Sequence, residues 1–341
     1  MRKINQLDLF SGIGGFHLGF EKAGYKVNSY FSEIDKHAVA VYKHKFKDAE
    51  YVGSVEHIKG NELPRIDLIT FGSPCQDFSL AGKRKGMSGE RSSLILEAIR
   101  LISECRPRVF IWENVKGTFS SNSGEDFAAI LQAFANIGGY RLEWQLLNTS
   151  WFLPQNRERI YLVGYSTKTK RNWRGVFPIG EETGEPSKII QTAGLTGGQL
   201  GRVLDPKGIG YALSACDYKD PMKVEVKSAT SKESVVEPTT CRGGLQKNAA
   251  HFEEKSPVLT SAMGMGGGHT PIVDQPNYRI RRLTPIECER LQGFPDNHTE
   301  YGNYDGEVKK MSNTQRYKQC GNAVTTDVVQ AIAEKIKPLF K

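Results

Sequence analysis

Apolar positions along the first 165 residues alternate between two periods. LDLF (7–10), VNSYFSE (27–33), IDLITFG (66–72) and RVFIWEN (108–114) are short apolar runs of strand length. GIGGF (12–16) opens a helix that stops near Gly24. RSSLILEAIRLISE (91–104) places Leu94, Ala98 and Leu101 on one helical face, with Ile95, Ile99 and Ile102 beside them. EDFAAILQAFANIG repeats the pattern with Phe127, Ile130, Leu131, Phe134 and Ile137, and closes at Gly138-Gly139, a C-cap signature. YRLEWQLLN and ERIYLVG read as further strands. The alternation predicts an α/β fold, a twisted and mostly parallel sheet covered by helices.

The pattern changes near residue 165. From there to about residue 278 the chain is rich in Gly, Thr, Ser and Lys, and no helical period holds. ALSACDYKD (212–220), PTTCRGG (238–244) and VLTSAMGMGGGHT (258–270) look loosely alike, either as weak repetition or as shared loop composition. The stretch predicts a smaller strand-and-loop domain. Helical order returns at RRLTPIECERLQGFP, where Thr284 reads as N-cap, Pro285 as first helical residue, Glu287 as the capping-box acid and Gly293 as the stop. A last helix spans 325–337, with Val328, Val329, Ile332 and Ile336 as its apolar stripe.

Composition narrows the class. Of 341 residues, 38% are hydrophobic and 25% charged, as in a soluble globular chain. No apolar run reaches the roughly 20 residues of a membrane span, and MRKINQLDLF has no signal-peptide core. The expectation is a cytoplasmic protein without membrane contact. Cys75, Cys105, Cys216, Cys241, Cys288 and Cys320 form no CxxC pair and have no histidine at ligand spacing, so no metal site and no disulfide framework is expected. The net charge of +8 hints at a polyanionic partner.

The chemistry gathers at strand ends. Asp8-Leu9-Phe10-Ser11-Gly12-Ile13-Gly14-Gly15-Phe16 is a glycine-rich strand-to-helix turn, and Glu33 ends the next strand. Such a pair suits a nucleoside-containing cofactor, the acid taking ribose hydroxyls. GxGG in place of GxGxxG disfavours a dinucleotide; a plain tight turn with a solvated acid is the alternative. GSPCQDFSLAGKRKG (72–86) places Cys75 just beyond a third strand. Pro74 stiffens the backbone before it, and Lys83, Arg84 and Lys85 lie near enough in sequence to favour thiolate. Glycines 82, 86 and 89 bracket these cations, as a mobile flap requires. Glu113-Asn114-Val115 ends the following strand. Arg157 and Arg159, at alternate positions of QNRER, begin another and face one side of it.

These stretches resemble the C5-cytosine DNA methyltransferases of bacterial restriction–modification systems. DLFSGIGGF, SEIDKHA, GSPCQDFSLAGKRKG, ENV, QNRERIYLVG, RLTPIECERLQGFP and QCGNAV match that family's ordered motifs between about residues 7 and 330. The resemblance implies a Rossmann-like, S-adenosylmethionine-dependent methyltransferase sheet that releases S-adenosylhomocysteine. It implies a catalytic and cofactor-binding domain over 1–165 plus 315–341, and a smaller domain over 166–314 with the target recognition region at about 166–278. Cys75 would attack C6 of a flipped cytosine, Glu113 would hold N3 and the amine, Arg159 would contact O2, and Arg157 would support the network. Phe10, Ser11, Gly12, Gly14, Glu33, Ile34, Val55, Pro74, Leu94 and Asn322 would form the donor pocket. Gln76, Ser79, Lys83, Arg84 and Lys85 would meet double-stranded DNA. The implied enzyme is a monomer in the bacterial cytoplasm, or phage-encoded, with a cognate restriction endonuclease as a functional rather than physical partner. One residue departs from the pattern: Ser54 stands where the family has an acid facing the adenine amino group. A non-enzymatic DNA-binding relative and an RNA methyltransferase are the competing readings. The intact Cys75, Glu113 and Arg159 disfavour the first, and the long variable region disfavours the second.

Overall fold

A computed structural model describes residues 2–73, 94–168, 175–180, 205–209, 223–227, 253–255 and 278–340. The chain divides into two compact units. The first is Met1–Leu147, Glu158–Ile179 and Val328–Lys341; the second is Asn148–Arg157 and Gly180–Asp327.

The first unit is built on a seven-stranded sheet of order β3-β2-β1-β4-β5-β7-β6. Its strands are β1 (Arg2–Leu9), β2 (Tyr25–Ser32), β3 (Glu50–Tyr51), β4 (Leu68–Gly72), β5 (Val109–Val115), β6 (Tyr140–Asn148) and β7 (Glu158–Ser166). The pairs β1–β2, β1–β4, β2–β3 and β4–β5 are parallel, and β5–β7 is antiparallel. Central strands read as unbroken apolar runs because both faces are covered: Leu68, Ile69 and Phe71 of β4 and Val109 to Trp112 of β5 are fully buried. Helix α1 (Gly15–Lys22) follows β1, and α2 (Lys36–Lys45) follows β2. Ile95, Ala98, Leu101 and Ile102 of α3 (Leu94–Cys105) join Phe127, Ile130 and Phe134 of α4 (Glu125–Asn136) in one core with Leu9, Phe71, Phe110 and Trp112.

The elements absent from the sequence reading have physical reasons. In α2, Ala38, Val41 and Tyr42 are buried at helical spacing, but its lysines and histidines dilute the period. Its start was legible: Asp35 accepts amide bonds from His37 and Ala38 at 2.9 and 3.4 Å. Strand β3 has only two residues, too few for any period.

One buried acid belongs to this sheet. Asp8 is fully buried; the Thr70 hydroxyl donates to it at 2.7 Å and the Tyr42 hydroxyl at 3.4 Å, while the Gln6 amide donates to Thr70 at 2.7 Å. Burial pushes its carboxyl up from 3.8 to about 8, against those hydrogen bonds, and the nearby Glu33 charge adds to the rise. The folded protein therefore keeps a proton that the unfolded chain gives up, and stability falls as pH rises through that window. In Asp8→Asn this fall should vanish. The variant's stability relative to wild type should improve by on the order of a few kcal/mol from about pH 5 to about pH 8. Urea melts at several pH values read it directly, and a difference constant with pH would show that Asp8 does not titrate there.

In the second unit, short strands β8 (Asp205–Ile209) and β10 (Glu253–Lys255) pair in parallel, and β9 (Lys223–Lys227) and β11 (Tyr278–Arg282) antiparallel. Helix α5 (Pro285–Leu291) begins with the expected capping box, both the Thr284 and Glu287 side chains bonding back. Gly293 follows at φ 77°, beyond its C-cap Gln292. Strands β12 (Tyr301–Tyr304) and β13 (Glu307–Lys310) form a hairpin. Helix α6 (Asn313–Asn322), N-capped by Ser312, is tied to α5 by a buried ion pair, Arg316 to Glu289 at 3.0 Å. Glu289 also accepts amide bonds from Asn297 and Thr299 at 2.7 and 2.8 Å, which offsets the cost of burying its charge. Helix α7 (Thr326–Ile336) returns to the first unit from Val328 onward, where its Ala333 carbonyl accepts from the Tyr25 hydroxyl at 2.9 Å.

Among the described residues, cysteines 105, 288 and 320 form no disulfide, and burial raises the Cys320 thiol well above its ordinary value. Among them no group of His, Cys, Asp or Glu could hold a metal ion, and no helix is long and apolar enough to cross a membrane.

Candidate active site

The topology dictates where chemistry collects. From β1 the order runs to β2 and β3 on one side and to β4 and β5 on the other, so the crevice lies beyond the carboxyl ends of these parallel strands. Strand β7 runs the other way, which brings its first residues to the same edge: Val115, the last residue of β5, pairs with Arg159.

On the β1 side the chain turns sharply. Phe10, Gly12 and Gly14 have φ of 51°, 54° and 83°. Gly14 has a second reason to be glycine, since a Cβ there would stand 2.4 Å from the Phe46 ring. Glu33 closes the turn from β2. One carboxylate oxygen accepts the Gly12 amide at 2.9 Å, and the other accepts the amides of Ile34 and Asp35 at 2.8 and 2.9 Å. The carboxylate is thus fixed in place and keeps lone pairs for hydroxyl donors. Beside it Ile34 is 81% exposed, an apolar side chain left in solvent at the rim of a polar turn. Tyr51, which the sequence reading passed over, donates its hydroxyl to the Glu33 carbonyl at 2.9 Å. Ser11 is buried, and its hydroxyl has no hydrogen-bond partner among the described residues. A fixed acid, an exposed apolar shelf and an orphaned hydroxyl in a glycine turn fit a ribose, an adenine and a polar tail.

Beyond β3, Val55 is buried in the core and Ser54 opens a short 3-10 turn without a capping bond from its side chain. Leu94, half-buried, is the first residue of α3. Asn322 ends α6 in the second unit and is exposed.

On the β4–β5 side, Gly72 pairs with Glu113. Only glycine fits there without crowding, because an added Cβ would meet the Glu113 carboxylate at 3.0 Å. Glu113 is 8% exposed and pairs with the Arg159 guanidinium at 3.2 Å. The arginine is held as well by its own bond to the Glu158 carbonyl at 2.8 Å. Ser73 was not singled out in the sequence. It is buried, and its hydroxyl accepts from the Trp112 indole at 3.0 Å and the Asn114 amide at 3.3 Å. The chain is therefore anchored to β5 one residue before Pro74. Pro74, Cys75, Gln76, Ser79, Lys83, Arg84 and Lys85 lie outside the described residues.

The two arginines do not share a strand face. Strand β7 begins at Glu158, and Arg157 falls in the second unit, its amide bonded to the Asn148 side chain at 3.1 Å and its carbonyl to the Thr149 amide at 2.9 Å. Its buried guanidinium donates to the carbonyls of Gly321 and Ala323 at 3.2 and 2.9 Å, one on each side of Asn322. The strand starts at Glu158, where the run ERIYLVG begins, so Arg157 lies one residue outside it.

A mostly parallel sheet with a switch point at β1, a fixed acid after β2 and a carboxylate on β5 paired with a guanidinium on β7 define a Rossmann-like enzyme. The chain belongs to the C-5 cytosine-specific DNA methylase family, whose model matches residues 4–338. It is 34% identical over 332 residues to the type II methyltransferase M.Bsp6I of Bacillus sp. (strain RFL6), covering 96% of each chain. It is 34% identical over 340 residues to the type II methyltransferase M1.ScrFI of Lactococcus lactis subsp. cremoris, covering 98% of this chain and 78% of that one. Among solved structures, the Dnmt2 methyltransferase of S. pombe shares the fold with a TM-score of 0.64 at 18% identity, over 99% of both chains.

Proposed function

We propose that this chain transfers a methyl group from S-adenosylmethionine to C5 of a cytosine flipped out of duplex DNA, through a covalent Cys75 adduct. The observation that carries the reading is the largely buried Glu113–Arg159 pair, at the sheet edge where β4 delivers the chain toward Pro74-Cys75. Cytosine C5 is a weak nucleophile. Thiolate addition at C6, with Glu113 supplying a proton to N3, makes C5 enamine-like. Arg159 steadies the ring at O2 and keeps Glu113 oriented. The donor supplies an electrophilic methyl group; the chain's own part is to hold it with Phe10, Ser11, Gly12, Gly14, Glu33, Ile34, Val55, Pro74, Leu94 and Asn322. After transfer, a base takes the C5 proton, the thiolate leaves C6 and the N3 proton returns to Glu113. Arg157 acts on this scheme as a brace for the Asn322 turn.

The ring is out of reach inside a duplex, so it is extruded at a cost of a few kcal/mol. Gln76, Ser79, Lys83, Arg84 and Lys85, together with residues 166–278, would hold the opened DNA. Methylation at a fixed sequence would shield that sequence from a cognate restriction endonuclease. Bisulfite sequencing of DNA from cells expressing the chain tests the reading. Protected cytosines should appear in one sequence context and be absent with Cys75→Ala. Equal conversion in both would overturn it.

A further inference from the structure

Three side chains of α3 form a ladder the reaction scheme leaves unused. The Arg100 guanidinium pairs with Glu97 at 2.6 Å and with Glu104 at 2.9 Å. The same guanidinium donates to the Val55 carbonyl at 3.3 Å. Glu104 reaches the other end of the same loop, its second oxygen accepting the Gly60 amide at 2.7 Å. Gly60 lies flush on the helix: a Cβ there would come within 2.7 Å of Glu104 Cβ and 2.9 Å of Cys105 Sγ. Val55 and Ile58 are buried with Ile95, Ala98, Leu101 and Ile102. The loop from Val55 to Gly60 is therefore bolted at both ends to the helix that begins with Leu94.

This loop leaves β3 at the edge where Glu33 stands, since β2 and β3 run parallel and Tyr51 bonds the Glu33 carbonyl. It begins with Ser54, a neutral hydroxyl at the position where the resemblance implies an acid. A neutral acceptor gives a weaker bond to an amino group than a carboxylate does. Recognition then depends more on how well the loop is placed, because a bond is lost steeply with misalignment.

We propose that Arg100, oriented by Glu97 and Glu104, is a positioning residue that fixes the Ser54–Val55 edge of the adenine pocket and so sets affinity for the methyl donor. The inference rests on the donor site described under the proposed function. Arg100→Met removes the guanidinium and keeps the aliphatic stem. It should weaken S-adenosylhomocysteine binding, read by calorimetry on the full chain, about tenfold. KM for S-adenosylmethionine should rise in step, while KM for DNA and kcat at saturating donor stay put. Arg100→Lys should recover part of the loss, since an ammonium still reaches one carboxylate. Glu104→Gln, nearly isosteric, covers the case in which Arg100→Met fails to fold, and should weaken donor binding in the same selective way. If wild type binds the nucleoside and neither variant changes its Kd, or if kcat and both KM values shift together with the melting temperature, the ladder is only a structural brace. If wild type itself binds no S-adenosylhomocysteine, the donor site falls and this inference with it.

Discussion

Glu113→Gln is expected to lower kcat for methylation by about 10²- to 10⁴-fold while leaving duplex binding nearly intact. Glutamine keeps the shape of the side chain and the register with Gly72 but cannot supply a proton to N3. The loss has a second source. Glu113 is the partner of Arg159 at 3.2 Å in a nearly buried setting, so the variant leaves that guanidinium facing a neutral amide. Single-turnover methylation of a saturating duplex reports the chemical step apart from product release. An unaltered rate would remove the carboxyl from the reaction.

The second large effect concerns the sulfur. Cys75→Ala is expected to reduce methylation to background and to retain binding to DNA, because in the proposed scheme it removes the adduct while the extruded base keeps its other contacts. The companion experiment uses duplex containing 5-fluorocytosine. Fluorine occupies the place of the proton that must leave, so the wild-type protein should remain covalently attached after transfer, visible as a denaturant-resistant band. Cys75→Ser should give no such band at a comparable rate. A band forming equally fast in the serine variant would put the nucleophile elsewhere.

How far each element was legible depended on the physics that forms it. Helices α3 and α4 and strands β4 and β5 were readable because burial on one stripe or on both faces writes a period or a run into the sequence. Helix α2 was not, since cations occupy most of its solvent side and only Asp35 announces it. The site divides the same way. Glu33 and Glu113 stand out because an acid at the end of an apolar run is conspicuous. Ser73 and Tyr51 were missed because a hydroxyl's role lies in what donates to it, or what it donates to, across the sheet. Arg157 looked like a strand residue because it alternates with Arg159, but the run ERIYLVG begins only at Glu158.

The reversed β7 has a consequence for how tolerant this molecule is to change. Glu113 and Arg159 are diagonal neighbours on one face of a hydrogen-bonded ladder, so interstrand spacing alone sets their separation. The loops outside α4 and β6 in the forty or so residues that join them, from 116 to 157, take no part in that measurement. Insertions or deletions in those loops can therefore accumulate without moving carboxylate and guanidinium apart, provided the two strands still zip in register.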